Sequence, residues 1–588
     1  VPATADLTVL LVSMPFMETD RPSIQLGLLS AIARDAGFPV RTWHANLDLA
    51  ARIGAAEYAG IARFRGPLIG DWLFSVEAFG ADAPDPDARF RAELADIRRH
   101  DIPAYLDALA DEFDRQPARV VAFTCTFQQN TASFALARRL KQRHPGLITV
   151  FGGANFDGEM GPEYVRTVDC IDYAVVGEGD TAFPQLLTAL ADGTDPTGIP
   201  GVVARTGGAS TESPPEHRLD DSPVPDYDEY FTRAARLGLL PAGVWIPVET
   251  SRGCWWGARH HCVFCGLNAT SMRFRAKSPR RVRDELARLA RRHGGFRFAA
   301  VDNILDVRYL TELLPGLVAD DTGYQLFYEV KANLNRDQVR LLARAGVTAV
   351  QPGIESLSTP VLRLMRKGVT AAQNVNLLRW AGYYGIHLSW NILWGFPGET
   401  VRDYTDQAAA VPTLTHLQPP DTAGPIWMER FSPLHATTQG QIKPEASYAY
   451  VYPAHVNLDR IAYFFDRTPE LPDDTYDGVR KTVHEWRRSW TAPRRPVLTY
   501  RSAPHYVEIY DGRHPGREGT YAFEDTAADV YLQCVDRPVS ASTIHTRLHG
   551  RVAIELIDEI LTEFTRLGLL FRDGPKTLAL ALPAIPGR

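Results

Sequence analysis

Short apolar runs alternate with segments of helical period along the first 205 residues. Leu7–Val12 is a β-rich run, followed by Ser-Met-Pro-Phe16 and a helical pattern from Ile24 to Ala36 that ends at Gly37. Val120–Phe123, Ile148–Phe151 and Tyr173–Val176 are further apolar runs, and Ser133–Arg143 has helical period. The third run closes on Gly152-Gly153 and the fourth on Gly177-Glu178-Gly179. Strands that alternate with helices and end in glycine turns predict an α/β fold with a doubly wound, Rossmann-like parallel sheet. Such a sheet binds its ligand at the carboxyl ends of the strands. Residues 38–118 read as an acidic, aromatic, mostly helical insertion.

Residues 206–240 read as a linker, because Thr206–Tyr230 is rich in Gly, Ser, Pro and Asp. A second repeating pattern fills residues 241–440. Its strand candidates are Trp245–Glu249, Phe298–Val301, Leu326–Val330, Ala349–Pro352, Leu388–Leu393 and Gly424–Glu429. Helical patterns at Arg280–His293, Tyr309–Leu317, Arg336–Ala345, Ala371–Tyr384 and Arg402–Val411 separate most of them. Repeated βα units of this length predict a partial (β/α) barrel. Residues 441–588 form the expected C-terminal domain, a small α+β module, winged-helix-like from about residue 490. There Tyr506–Tyr510 reads as a strand and Thr526–Val535, Ser540–Leu548 and Val552–Leu567 as helices. A hairpin with an Asp573-Gly574 turn follows. Few basic residues lie on those central helices, which argues against DNA binding.

Composition narrows the class. The chain has 588 residues, 45% hydrophobic and 23% charged, with a formal net charge of −7. Those are the values of a soluble globular protein, and they argue against nucleic acid as a partner. No signal peptide and no membrane-spanning stretch is read, so the expectation is a cytoplasmic monomer. Arg is abundant and Lys scarce.

Half of the six cysteines lie in one run, Ser-Arg-Gly-Cys254-Trp-Trp-Gly-Ala-Arg-His-His-Cys262-Val-Phe-Cys265-Gly, directly after the first barrel strand. Their clustering points to a cofactor in a reducing compartment rather than a disulfide scaffold. Three thiolates suit a 4Fe–4S cluster with one iron left open for substrate. A zinc site is the alternative, with its fourth ligand from His260, His261 or elsewhere.

The run resembles the radical S-adenosylmethionine (SAM) superfamily, which places an aromatic residue, here Phe264, before the last cysteine. The usual first gap is three residues; here it is seven. The resemblance implies that Cys254, Cys262 and Cys265 hold the cluster and that SAM binds its open iron. It further implies SAM contacts from Phe264, Asp302, Asn303, Glu329, Lys331, Gly353, Glu355, Ser356 and Asn391, all near barrel strand ends. Asp302 or Glu329 alone is as readily a satisfied buried carboxylate.

The first region is similar to the cobalamin-binding domain that precedes the barrel in one branch of this superfamily. The matching residues are Met14, Pro15, Phe16, Pro22 and Ser23; Thr126, Phe127, Gln128, Gln129 and Asn130; Gly152, Gly153, Ala154 and Asn155; and Gly177, Glu178 and Gly179. Their glycines are read as turns that let backbone approach a flat ring. The D-x-H-x-x-G motif is absent, so no histidine is expected on the lower face of cobalt. Cys125 reads as core, and a flavodoxin-like module for another ligand is the alternative. The whole chain resembles the cobalamin-dependent radical SAM C-methyltransferases that mature ribosomally made peptides, in which C-x7-C-x2-C spacing is normal. That family implies two uses of SAM. One methylates cob(I)alamin to methylcobalamin; the other yields the radical that opens an sp³ carbon of the precursor peptide. It also implies an external flavodoxin- or ferredoxin-type electron donor. Aromatic segments Trp427–His435 and Tyr448–Phe465 read as substrate channel or as core. The rival readings are a methyltransferase for a small molecule, such as free tryptophan or an antibiotic intermediate, with or without radical cleavage of SAM, and a non-catalytic cobalamin sensor with a structural cluster.

Overall fold

The computed structural model of the chain describes residues 6–63, 68–84, 92–206, 208–209, 217–268, 271–438 and 440–585. The chain divides into two compact units. One holds residues 1–253, 265–299 and 427–467; the other holds 254–264, 300–426 and 468–588.

The first unit is built on a seven-stranded sheet. Its strands are β1 (Val9–Ser13), β2 (Val40–His44), β3 (Val120–Thr124), β4 (Ile148–Gly152), β5 (Tyr173–Val175), β6 (Val202–Ala204) and β7 (Gly208–Ala209). They lie in the order 2-1-3-4-5-6-7. The first five are parallel, and β6 and β7 run antiparallel. Every residue of β1 and β3 is buried, as expected for strands covered on both faces. Leu7, Leu11, Leu26, Val120, Phe183, Leu186 and Leu187 belong to one core. Each contributes about 1.5–3 kcal/mol if fully buried.

Two expectations are corrected in this unit. Residues 38–118 are not wholly an insertion, because β2 is the edge strand beside β1. Its Val-Arg-Thr-Trp-His sequence lacks an apolar run, yet Thr42 and His44 are buried. His44 accepts from the Ser23 N–H (3.0 Å) and sits 2.6 Å from Glu229. The C-terminal domain also does not begin at 441. Residues 427–467 belong to this first unit, with a small sheet of Met428–Glu429, Phe464–Asp466 and Lys443–Pro444. Their aromatic side chains find partners on the loops and helices around β3 and β4. Phe464 stacks on Phe127 at 6.2 Å, and the Tyr452 hydroxyl bonds Asn130 (3.1 Å) and Tyr164 (3.2 Å). The expected linker falls partly outside the described residues; its described end becomes a helix, Asp228–Arg236.

The second unit carries the parallel strands Gln325–Val330, Val347–Pro352 and His387–Leu388, with Asn391–Trp394 paired to Thr422–Pro425. The expected strands 388–393 and 424–429 are thus each broken in two. Helices Arg336–Arg344, Ala371–Tyr383 and Val401–Leu414 lie where periodicity placed them. Tyr309–Leu317 instead becomes a 3-10 turn at Val307–Leu310 and a helix at Leu314–Ala319.

The end of the chain completes this unit. Helices Asp525–Gln533, Ala541–Arg547 and Ile554–Arg566 precede a hairpin, Leu570–Asp573 and Lys576–Ala579, which pairs with Val539–Ser540. A second sheet adds Leu498–Ala503, Tyr506–Asp511 and Gly519–Glu524, with Gly519–Glu524 at its edge.

Candidate cofactor site

The cysteine run starts from a two-residue ladder, Ser251–Arg252 against Arg275–Ala276. Gly253 follows at φ 82°, and a Cβ there would lie 2.2 Å from the Arg273 carbonyl oxygen. Only glycine fits that turn. Arg252 is bound by Glu249 (2.7 Å), Asp180 (2.7 Å) and Glu178 (2.8 Å). Burial opposes its charge, but the carboxylates hold its pKa above the usual value. Beyond the third cysteine, the Gly266 N–H donates to Glu429 at 2.7 Å. In the same unit Lys277 is fully buried on Glu285 at 2.8 Å, and Ser278 caps the helix Pro279–His293.

The residues proposed to contact cobalamin all lie at or after the carboxyl ends of β1, β3, β4 and β5, those after β1 and β3 flanking the point where the strand order reverses. Most are spent on holding loops to one another. Gln128 accepts from the Gly70 N–H (2.7 Å), and Gln129 donates to Met14 O (2.7 Å). Asn155 donates to Phe127 O (2.7 Å) and to Asn130 (2.9 Å). Thr126 caps the turn that follows it. Pro15 and Pro22 are buried, Phe16 packs on Tyr58 at 5.0 Å, and Ser23 caps the first helix. Gly153, at φ 100°, is filled from behind: a Cβ would lie 2.5 Å from Cys125 O. Glu178 is committed to Arg252 and Arg275. Gly152, Gly177 and Gly179 are partly buried, and the Gly177 N–H donates to Asp157, whose carboxyl burial raises to about 6. Ala154 is exposed, and Phe127 is partly exposed while stacked on Phe464. Cys125 is core, and burial pushes its thiol to about 12.

In the second unit Cys254 and Cys262 sit at either end of a loop. All three cysteines of the run are free thiols and partly exposed. Among the described residues no three His, Cys, Asp or Glu side chains converge into a ready metal site. The donor chemistry nevertheless fits a cluster. The Gly257 N–H donates to Cys254 Sγ at 3.2 Å, and the Trp256 N–H also lowers that thiol's pKa against the larger, opposing effect of burial. N–H groups aimed at sulfur stabilise a thiolate ligand. Phe264 meets Phe396 edge-on at 5.8 Å.

Three carboxylates and two ammonium groups share this unit. Glu329 is raised to about 7 by burial and then by Asp302 and Glu355. Burial also raises Glu355, against the pull of Lys367, whose Nζ is 3.6 Å away. Burial and Lys367 lower Lys331 to about 8, while Cys262 and Cys254 oppose them. Asp302 and Ser356 are buried. Gly353 packs so close to Lys367 that a Cβ would lie 2.4 Å from its Nζ. Asn303 is partly buried just after the strand Arg297–Ala300, and Asn391 accepts from Thr422 at 2.7 Å. Carboxylates beside ammonium groups suit a zwitterion such as the methionine end of SAM.

Sequence reasoning missed Lys367, Asn374 and Gln407. Asn374 donates to Ile354 O (3.0 Å) and Ser356 O (2.9 Å), and Gln407 accepts from Ser356 Oγ (3.0 Å) and the Leu357 N–H (2.9 Å). Lys367 had one signal: it is one of only seven lysines among the 63 Lys and Arg residues of the chain.

Residues 248–407 match the Radical SAM superfamily, and residues 86–187 match the B12 binding domain. An uncharacterized methyltransferase of Pyrococcus horikoshii is 28% identical over 48% of this chain and 61% of its own. The cobalamin-dependent radical SAM methyltransferase TokK of Streptomyces tokunonensis is 30% identical over 29% of this chain and 25% of its own. The chain thus spans less than two thirds of either relative. The radical SAM methyltransferase TsrM of Kitasatospora setae, solved with tryptophan substrate and a SAM analog, shares the fold. Its TM-score is 0.56 at 19% identity, over 82% of this chain and 88% of its own. The Radical SAM match brings a 4Fe–4S cluster and SAM as cofactors, and the B12-binding match brings cobalamin.

Proposed function

We propose that this chain, which joins a B12 binding domain to a Radical SAM domain, is a C-methyltransferase acting on an unactivated carbon of a ribosomally made peptide. The observation that carries the transfer reading is the pairing of the cysteine run with the zwitterion-binding set Asp302, Glu329, Glu355, Lys331 and Lys367. When bound, the cluster and cobalamin supply the electron and the methyl carrier for carbon methylation. Cys254, Cys262 and Cys265 hold the cluster. The carboxylates take the ammonium of SAM, and Lys331 its carboxylate. Buried Asn374 and Gln407 keep the segment Gly353–Ser356 in place. The loops after β1, β3, β4 and β5 receive cobalamin, with Ala154 as an outward side chain. The electron comes from a flavodoxin- or ferredoxin-type donor.

The peptide reading is supported by the C-terminal module. The edge strand Gly519–Glu524 is largely exposed, and Phe523 packs on Phe564 of helix Ile554–Arg566. That helix leaves Leu556 exposed beside Glu555 and Glu559. An exposed strand edge near apolar side chains is how folded domains take up an extended peptide. A second reading, a small-molecule acceptor, is favoured by the tryptophan bound in TsrM.

The test is anaerobic turnover of the reconstituted protein with SAM, a strong reductant and either a candidate precursor peptide or tryptophan. Methylated peptide formed in step with 5′-deoxyadenosine is expected. Methylated tryptophan without 5′-deoxyadenosine overturns the peptide-radical reading, and no consumption of SAM overturns the enzyme reading. Cys262→Ala should lose both cluster absorbance and turnover.

A further inference from the structure

The segment Met365–Gly368 belongs to no sequence motif read above, yet three of its carbonyls in a row are taken by the cluster loop and its neighbour. Met365 O accepts from the Val263 N–H at 3.1 Å. Arg366 O accepts from the Trp256 indole N–H at 3.1 Å. Lys367 O accepts from Lys331 Nζ at 2.5 Å. Gly368, at φ 63°, then passes so close to Trp256 that a Cβ would lie 2.1 Å from the ring. Lys331 Nζ stands over the same indole, 3.3 Å from the ring centroid. The segment is therefore a strap that grips the cluster loop on both sides of its histidines, at Trp256 and at Val263.

The strap also aims one charge. Lys367 Nζ stands 5.6 Å from the Phe264 ring and 3.6 Å from Glu355. It thus lies between the residue preceding the last cysteine and the segment assigned to SAM. A cation near an iron–sulfur cluster favours the extra electron of the reduced state, so it raises the reduction potential. Resting on the cluster assignment above, we propose that Lys367 is a positioning residue of the cluster site. Held by the strap, its charge raises the potential at which the cluster accepts its electron.

The experiment compares reconstituted parent, Lys367→Met and Lys367→Arg by iron and sulfide content and by a redox titration of the cluster followed by electron paramagnetic resonance, without SAM. Lys367→Met is expected to hold a full cluster whose midpoint potential is more negative than the parent's, and Lys367→Arg to restore the parent value. An unchanged midpoint in Lys367→Met overturns the proposal, as does an equal shift in Lys367→Arg. If Lys367→Met takes up no iron, Lys367→Gln is titrated in its place. Iron lost in both neutral variants but kept in Lys367→Arg supports a role for the charge, and iron lost in all three overturns it. A parent that binds no iron overturns the cluster assignment itself. A parent that binds iron but transfers no methyl group leaves this proposal standing while the proposed function falls.

Discussion

Glu355 holds left-handed backbone, φ 54°, at a position where a side chain with a Cβ is disfavoured. Strain of this kind costs about 1–3 kcal/mol and persists only where the surroundings over-determine it. Here Asn374 grips the carbonyls on both sides of Glu355, and the Leu393 N–H takes the carbonyl of Glu355 itself at 2.9 Å. Asn374→Ala leaves the Ser356 carbonyl without that donor, at about 1–3 kcal/mol for the unmet group, while the Ile354 carbonyl keeps the Ser356 N–H at 2.7 Å. The expected outcome is a raised KM for SAM and weaker SAM binding by calorimetry, with cluster content unchanged. Asn374→Asp, which cannot donate, should behave alike; normal SAM affinity in either variant rejects the role. His416 offers a second test at this scale. It is buried, donating from Nε2 to Leu580 O at 3.0 Å, while its Nδ1 has no partner among the described residues. Burial, then Arg513, lowers its pKa to about 3. The unfolded chain takes up that proton near pH 6.5, so the folded state loses stability as pH falls from about 6.5 toward 3. At pH 5 the loss is about 2 kcal/mol. His416→Gln should flatten the urea midpoint between pH 7 and pH 5; an unchanged slope rejects the assignment.

At the scale of elements, much of the fold was legible because most segments bury a single face. The parallel strands β1, β3, β4 and β5 and the helices Pro279–His293 and Ala371–Tyr383 fall within a few residues of their expected places. What was not legible depends on partners far along the chain. β2 has no apolar alternation because its buried polar residues are satisfied by Ser23 and Glu229. The aromatic run at 448–465 looks like its sequence neighbours, yet its Tyr452 hydroxyl is met by Asn130 and Tyr164. The cysteine run and the segment Gly353–Ser356 could be read because their chemistry is local. Lys367 could not, because its meaning comes from the strap that aims it. Several residues assigned to cobalamin, Gln128, Gln129 and Asn155 among them, also tie one loop to another. A motif marks a loop that must keep its shape as readily as one that touches a ligand.

At the scale of the whole molecule, the second unit ties its winged-helix-like end to a barrel helix at both ends of that helix. At the start of Ala371–Tyr383, Asp573 of the wing turn accepts from the Ala372 N–H at 3.0 Å and from Thr359 Oγ1 at 2.7 Å. Near its end, fully buried Arg379 donates to the carbonyls of Val535 (3.1 Å) and Ala581 (2.9 Å), and Trp380 donates to Asp536 O at 3.0 Å. Among the described residues no carboxylate is hydrogen-bonded to Arg379; burial lowers its pKa to about 10, so its charge is stabilised chiefly by those carbonyls. Asn374, which holds the segment around Glu355, lies on the same helix. Removing residues 490–588 therefore does more than delete the module proposed to take up a peptide. It removes the carbonyls that hold the Arg379 guanidinium and uncovers Trp380, leaving apolar surface of the helix in water. A chain ending at residue 489 is expected to be aggregated or to lack a cooperative thermal transition. A soluble truncated chain that still melts cooperatively and binds SAM would make the C-terminal module a separable domain, and the clamp at Arg379 and Asp573 incidental.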